Sequence, residues 1–527
     1  MSASESTRLA PAATVATPAP LSTSRWVLAA TILIGQITLA FSMFAVAVAL
    51  PNIMAAMSAD VSTIHWVMTG FQIARTVPMP ALGWFSSLVG YRTLYLSGLV
   101  TTVVATICCG LAWNLESLIF FRVLQGLGAA PAQVTGMVIL YEAFPSNQRG
   151  LVLGLMLLAG SLGPTIGPSL GGYLVQEYSW RAMFFLSLPT AVLSLILSPM
   201  VLPKTGRPSR PAVDAFGLLS MAVWVVSLLL AVTQGQREGW DSSYIRCLFA
   251  LAAVFFAIFV GLELTQRQPF VDLRLYRNLR FVTASIAALL FEAAFNSANF
   301  VVALMLQRAF HYTPYQAGLI LAPGAVAMGL IGVAAGRLAD SFDPRGPIVV
   351  GLLLHAAAMY YFGFTTPEVG AVWLTLLVVL YRMSFGWVHS PLTRTVLHTL
   401  PPERLSMGSG LDGIHRGLAS AFGIALASTL LERRLAAHQI GLAEQHEATA
   451  LTVQDATAAL TDTLMASGTP TAEAQGQALT ALWEHLDEQA RTAAYQDTFF
   501  ILCGMTLFAL VPALLTRALH LRRQPRP

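Results

Sequence analysis

The sequence predicts an all-α polytopic membrane protein, and three observations carry that prediction. Of 527 residues, 56% are hydrophobic and only 11% are charged, under half the charged share of a soluble domain, which is roughly a quarter. Apolar windows of about 20 residues, long enough to cross a bilayer, recur along the whole chain. Arginine gathers in every second loop, as it does where loops face the cytoplasm.

Residues 1–25 are rich in Ser, Thr, Ala and Pro and read as a disordered cytoplasmic N-terminus. No signal-peptide cleavage pattern precedes the first span, Trp26–Leu50, which is expected to be retained as an anchor. Further spans are expected at about 63–85, 93–112, 116–142, 150–174, 181–202, 215–234, 243–264, 281–308, 315–339, 346–364, 369–391, 408–431 and 496–517. That makes fourteen transmembrane helices.

Arg92, Arg149, Lys204, Arg207, Arg274, Arg345, Arg394 and Arg404 fall in one set of loops, with Arg522, Arg523 and Arg526 in the tail. The opposite loops carry few. Both termini are therefore expected in the cytoplasm, in the cell (inner) membrane. The net charge of +4 arises at membrane edges and does not point to nucleic acid. Cys108, Cys109, Cys247 and Cys503 show no metal or disulfide spacing. No nucleotide-binding motif, catalytic constellation or cofactor signature appears, so neither an enzyme nor ATP-driven transport is indicated.

In the fifth span, Gly160, Gly163, Gly167 and Gly171 share one helical face. A face without side chains admits a close helix neighbour. Pro164 and Pro168 remove backbone donors and are expected to bend this helix. An internal repeat is also visible. Gly83–Arg92 after the second span answers Gly336–Arg345 after the tenth, and Phe121–Gly126 answers Tyr381–Gly386 at a similar offset. Two parallel six-helix bundles follow, 26–202 and 281–518, with two inserted central helices and linkers at 203–280 and a cytoplasmic tail at 519–527. A site between such halves is a known transporter arrangement.

These motifs resemble the major facilitator superfamily, and within it the fourteen-helix drug:proton antiporters of the EmrB/QacA type. Arg122-Val123-Leu124-Gln125-Gly126 looks like the family's fourth-span motif. Gly163-Pro164, Gly167-Pro168 and Gly171-Gly172 look like its fifth-span antiporter motif. Trp180-Arg181, Asp214-Ala215-Phe216-Gly217 and Gly336-Arg337-Leu338-Ala339-Asp340 match in order. The resemblance implies the major facilitator fold and proton-driven export of drug-like compounds. Two departures stand out. Ser42 occupies the place where the family carries an acid, a usual proton-coupling group. Ser87 stands where the first loop motif has its Asp.

Charges deep in a span cost about 2.5–3.5 kcal/mol each and usually face a cavity or a partner. Arg75, Arg122, Glu292 and Arg382 lie near mid-span, and Glu292 is the only deep acid. It is either the proton-coupling group or half of a fixed ion pair with Arg75 or Arg122. Three arginines against one glutamate suggest an anionic or weakly acidic substrate. With Gln125, Phe291 and Phe295, the arginines are candidates to line the substrate cavity. Asp412 and Arg416, one turn apart, are expected to form a gate or an intrahelical pair. By resemblance, Asp340 and Arg345 form a cytoplasmic latch. His355 and His389 read as satisfied core residues.

Residues 435–494 form one long, acidic extracytoplasmic segment with helical patterning at 451–465 and 473–493. The resemblance makes it a candidate contact for a periplasmic adaptor protein, or else a cap over the outer cavity. The expected function is secondary-active efflux of small lipophilic or amphipathic compounds by alternating access, in exchange for protons. The alternative, raised by Ser42, is an uncoupled or non-drug transporter, or a sensor.

Overall fold

The computed structural model describes residues 24–59, 61–203, 214–266, 273–398, 400, 405–448, 450–466 and 470–521. The expectations for residues 1–23, for the linker at 204–213 and for the tail beyond 521 lie outside the described residues.

Helices make up the fold: α1 (Arg25–Ala56), α2 (Val61–Ile64), α3 (Trp66–Thr76), α4 (Leu82–Val89), α5 (Tyr91–Gly110), α6 (Leu115–Ala143), α7 (Arg149–Glu177), α8 (Ala182–Leu186), α9 (Leu188–Val201), α10 (Ala215–Glu238), α11 (Ser243–Thr265), α12 (Leu279–Leu304), α13 (Pro314–Ser341), α14 (Arg345–Phe362), α15 (Ala371–His398), α16 (Leu405–Ala448), α17 (Ala450–Ala466) and α18 (Thr471–Leu521). An apolar solvent offers backbone amides no partners, so each span satisfies its own as a helix. Polar side chains at the ends fix where the helices begin. Asn114 Oδ1 accepts from the Ser117 amide at 2.8 Å to start α6. Thr313 and Gln316 form a reciprocal capping box for α13. Asp214 accepts from the Gly217 amide at 2.8 Å to start α10.

Twelve helical segments among the described residues are long and apolar enough to cross a membrane. Of the fourteen expected spans, those at 63–85 and 150–174 are not among the twelve. The first is broken into α3, a 3-10 turn at Met79–Ala81 and α4. Pro78 precedes that turn and Pro80 lies inside it, and both lack the amide a continuous helix requires. The second coincides with α7, an unbroken helix. The side chains of Pro164 and Pro168 lie outside the described residues.

In the 435–494 segment, α17 covers the helical stretch expected at 451–465 and α18 the one expected at 473–493, and the flanking helices run further than expected. Helix α16 continues without interruption from its apolar part to Ala448, and α18 begins at Thr471 well before its own. A helix supplies its own hydrogen bonds in water as in lipid, and only Gly441 offers a weak point in the last 17 residues of α16.

Helices α1 and α3–α9 pack mainly among themselves, as do α12–α16 and α18. Two sets of contacts join these groups: α7 against α13 and α15, and α16 against Met79–Ala81, α3, α4 and α6. Both joints begin at the arginine-rich end and continue into the spans, where Gly329 meets Ser161 and Gly417 meets Thr76. Gly150 and Gly336 meet backbone to backbone, and so do Gly154 and Gly332. A Cβ on Gly83 would lie 2.9 Å from the Met407 backbone. The two repeated loop motifs thus each press on the first turns of a helix from the other group. Helix α10 pairs with α11 and touches both α3 and α16.

Candidate functional site

At the arginine-rich end, α7 opens on Gln148, whose side chain does not cap it. The cap comes from the other group of helices. Asp340, near the end of α13, accepts from the Gly150 amide at 2.8 Å and from the Leu151 amide at 3.0 Å. A carboxylate there meets the positive end of the helix dipole. Arg394 of α15 holds the same carboxylate at 3.1 Å. Asp340 therefore joins α13 to the start of α7 and to Arg394. Arg345, at the start of α14, pairs with Asp343 at 3.3 Å, across a tight turn. The equivalent position in the first repeat is Ser87, which donates to the Trp84 carbonyl at 2.7 Å.

Deeper in, α12, α15 and α16 bring four ionisable side chains together. Arg416 donates from Nε to Asp412 at 2.8 Å and from Nη1 to Glu292 at 3.1 Å. Its Nη1 also lies 2.7 Å from His389 Nδ1, and Nη2 donates to Thr393 Oγ1 at 2.6 Å. His389 Nδ1 is 3.1 Å from Glu292 Oε1. The intrahelical Asp412–Arg416 pair is as expected. The partner of Glu292 is Arg416, not Arg75 or Arg122. Neither Arg75 nor Arg122 could serve, because Glu292 faces α15 and α16. Two carboxylates against one arginine leave the cluster one negative charge in excess while His389 is neutral. His389 and Arg416 keep 22% and 23% of their side-chain surface accessible, while the two carboxylates are almost enclosed.

Arg122 is fully buried in α6. It donates to the Val67 carbonyl at 3.0 Å, the Ser42 carbonyl at 3.2 Å and Gln125 Oε1 at 2.6 Å, and stacks 4.2 Å over Phe71. Gln125 in turn donates to Thr106 at 2.7 Å. Among the described residues no carboxylate pairs with Arg122. Its Nη2 and the Ser42 hydroxyl are both buried without a partner. The absent family acid thus leaves a polar gap beside Arg122.

Arg382 of α15 bonds only neutral oxygens: Nε to the Tyr381 hydroxyl and Nη2 to Asn299 Oδ1, each at 3.0 Å. Phe291 and Phe295 face inward, stacked on Phe385 at 5.8 and 4.1 Å between ring centres. Phe385 lies 4.7 Å from His389. Arg75 sits in the last turn of α3, where the backbone meets Gly126 of α6. Gly163 belongs to the α1–α7 contact, where a Cβ would lie 2.5 Å from the Ala40 carbonyl carbon. Gly167 and Gly171 are also buried.

Sequence reasoning missed the roles of His389, Thr393, Asn299 and Tyr381. His355 does behave as a core residue, bonding Thr506 at 3.0 Å. His389 lies nine residues before the end of its helix, as a lone polar group in an apolar run would, and nothing local marks it out. Asn299 and Asn296 on the Glu292 side of α12 were a usable signal, since amides deep in a span need partners.

Comparison with known proteins gives a consistent family likeness. The family profile described as Major Facilitator Superfamily matches residues 32–424. The "Multidrug export protein EmrB" of Escherichia coli (strain K12) is 29% identical over 403 residues, which is 75% of this chain and 78% of that protein. The "Multidrug resistance protein Stp" of Mycobacterium tuberculosis (strain CDC 1551 / Oshkosh) is 29% identical over 391 residues, 74% of this chain and 73% of that one. Among solved structures, the human organic anion transporter MFSD10 (TETRAN) superposes with a TM-score of 0.61 over 93% of this chain and 100% of its own, at 13% identity. That likeness speaks for the fold.

Proposed function

Because the chain belongs to the major facilitator superfamily, a family of transporters and not of enzymes, we propose that it is a secondary-active exporter of small lipophilic or amphipathic compounds, drugs and toxic weak acids among them. Export proceeds by alternating access, in exchange for protons. Fourteen spans, with six-helix bundles at 26–202 and 281–518 around two inserted helices, fit this reading. So do placement in the cell membrane and an arginine-rich end that faces the cytoplasm. The multidrug names of the relatives support the substrate class. The 435–494 helices are a candidate contact for a periplasmic adaptor.

The observation that carries the reading is the Glu292–His389–Arg416–Asp412 cluster. Its excess negative charge is cancelled by one proton, which Glu292 or His389 can hold. An exchanger needs such a group where solvent reaches it and where a conformational change alters its surroundings. Arg416 lies on α16, which packs across to Met79–Ala81 in the other group of helices. Movement between the groups therefore changes the setting of the proton site. The position of Ser42 argues for this location, since the ordinary acid beside Arg122 is missing.

The test is substrate-induced proton release from purified protein in detergent, wild type beside Glu292→Gln, with lipophilic acids and cations. Release that vanishes in Glu292→Gln supports proton exchange at this cluster. Binding without release in the wild type favours an uncoupled transporter or a sensor.

A further inference from the structure

We propose that Arg382, with Asn299 and Tyr381, forms an anion-recognising subsite that takes the carboxylate, or another singly charged acid group, of an amphipathic substrate. The inference rests on the exporter reading and narrows its substrates.

Arg382 carries a charge that its bonded neighbours leave uncompensated. Its Nε donates to the Tyr381 hydroxyl and its Nη2 to Asn299 Oδ1, both at 3.0 Å, and Tyr381 donates to the same amide oxygen at 3.1 Å. All of these acceptors are neutral. The enclosed carboxylates described on α12, α13 and α16 are engaged elsewhere: Glu292 and Asp412 with Arg416, Asp340 with Arg394. A guanidinium buried at this depth calls for a counter-charge.

The group is also built to receive one. Nη1 bonds no acceptor among the described residues, yet it is not sealed in, unlike the buried Nη2 of Arg122. One edge of the fork is held and the other is open. Planar forks of this kind match carboxylates. Asn299 is fixed in turn, since its Nδ2 donates to the Phe295 carbonyl at 3.0 Å. Gly324 of α13 makes room for the arginine stem, where a Cβ would lie 2.8 Å from Arg382 Cδ. Arg122, the repeat-related arginine, is different. Three oxygens and a ring enclose it, and it has no exposure.

The subsite also stands in a defined relation to the proton cluster. Arg382 and His389 are seven residues apart on α15, and Asn299 and Glu292 seven apart on α12. Two helical turns separate each pair, about 10 Å, with Phe385 and Phe295 stacked between. A substrate acid would therefore sit above the proton site without displacing its carboxylates. Departure of an anion is favoured by an interior-negative membrane potential, by roughly fifty-fold in concentration per 100 mV.

The experiment uses three probes with one naphthyl body: a carboxylate, an ammonium and a neutral alcohol. Binding to the full chain in detergent and efflux from proteoliposomes are both read. The wild type is expected to bind and export the carboxylate. Arg382→Gln raises its Kd at least tenfold and leaves the ammonium within twofold, and Arg382→Lys recovers part of the loss. Asn299→Asp supplies an internal counter-ion, so it weakens the carboxylate while sparing the other probes, and melting curves confirm that it folds. Equal losses for all three probes in Arg382→Gln, or an unchanged carboxylate Kd in Asn299→Asp, overturn the subsite. Export of ammonium and alcohol with no carboxylate binding overturns the subsite and leaves the exporter standing. Export of none of the three overturns both.

Discussion

Asp340 and Gly150, 190 residues apart, share a hydrogen bond of 2.8 Å that ties the end of one helix group to the beginning of a helix in the other. With the Leu151 amide at 3.0 Å and Arg394 at 3.1 Å, the carboxylate joins the two groups at the arginine-rich end.

That junction depends on one charge. Hydrogen bonds to a charged group are worth about 1.5–3 kcal/mol each, so Asp340→Ala shifts the balance between open and closed arginine-rich ends by roughly tenfold or more. Hydrogen exchange at the first turn of α7 reads this directly. The Gly150 and Leu151 amides exchange faster in the variant, while Arg345→Ala leaves them unchanged because Arg345 holds Asp343. Equal protection in Asp340→Ala and the wild type would remove the latch.

The helices were legible because apolar length and helix formation are the same signal in lipid. The junction at Asp340 was half legible: Asp340 stands out in its motif, but two of its partners are backbone amides, which leave no mark in the sequence. The Glu292–His389–Arg416–Asp412 cluster was not legible as a unit. Glu292, His389 and Arg416 come from three helices spread over 124 residues, and no local pattern joins them. Arg75 and Arg122 looked like partners for Glu292 only because depth in a span was visible and the direction each helix faces was not.

Arg416 holds two buried carboxylates, so its loss leaves both without a counter-charge. Breaking such a set by removing one member costs about 3–5 kcal/mol. Arg416→Ala therefore lowers the melting temperature clearly. Arg416→Ala with Glu292→Gln and Asp412→Asn recovers most of it, since the uncompensated charge is gone. A triple variant no more stable than Arg416→Ala would mean that packing, not charge, sets the cost.

Glycines in α7 are not equivalent. A Cβ on Gly163 would lie 2.5 Å from the Ala40 carbonyl carbon, whereas one on Gly160 has Gln36 Nε2 at 3.8 Å as its nearest neighbour. The first neighbour is backbone and cannot yield without parting α1 from α7. Overpacking of this kind costs about 1–3 kcal/mol. Gly163→Ala is expected to lose stability and transport, and Gly160→Ala to keep both. Similar melting temperatures for the two variants would place the close contact elsewhere.

The polar gap beside Arg122 can be filled by substitution. The Ser42 hydroxyl and Arg122 Nη2 are both buried without partners, and the Ser42 carbonyl already lies 3.2 Å from Arg122 Nη1. A carboxylate introduced at this position would therefore start from within reach of a buried guanidinium that has none. Ser42→Asp is expected to pair with Arg122, and a double-mutant cycle with Arg122→Gln should give a coupling of about 0.5–3 kcal/mol. The burial cost of the new charge falls on both corners of the cycle that carry Ser42→Asp, so the coupling isolates the pair. The functional consequence is separable from stability. If the proton site is at Glu292, Ser42→Asp adds a second titrating group in the other half of the protein. Substrate-induced proton release should then persist, at least in part, in Ser42→Asp with Glu292→Gln, where Glu292→Gln alone abolishes it. No release in the combined variant, despite a measured coupling between the introduced carboxylate and Arg122, would mean that an acid in the first span is not sufficient for proton coupling in this scaffold.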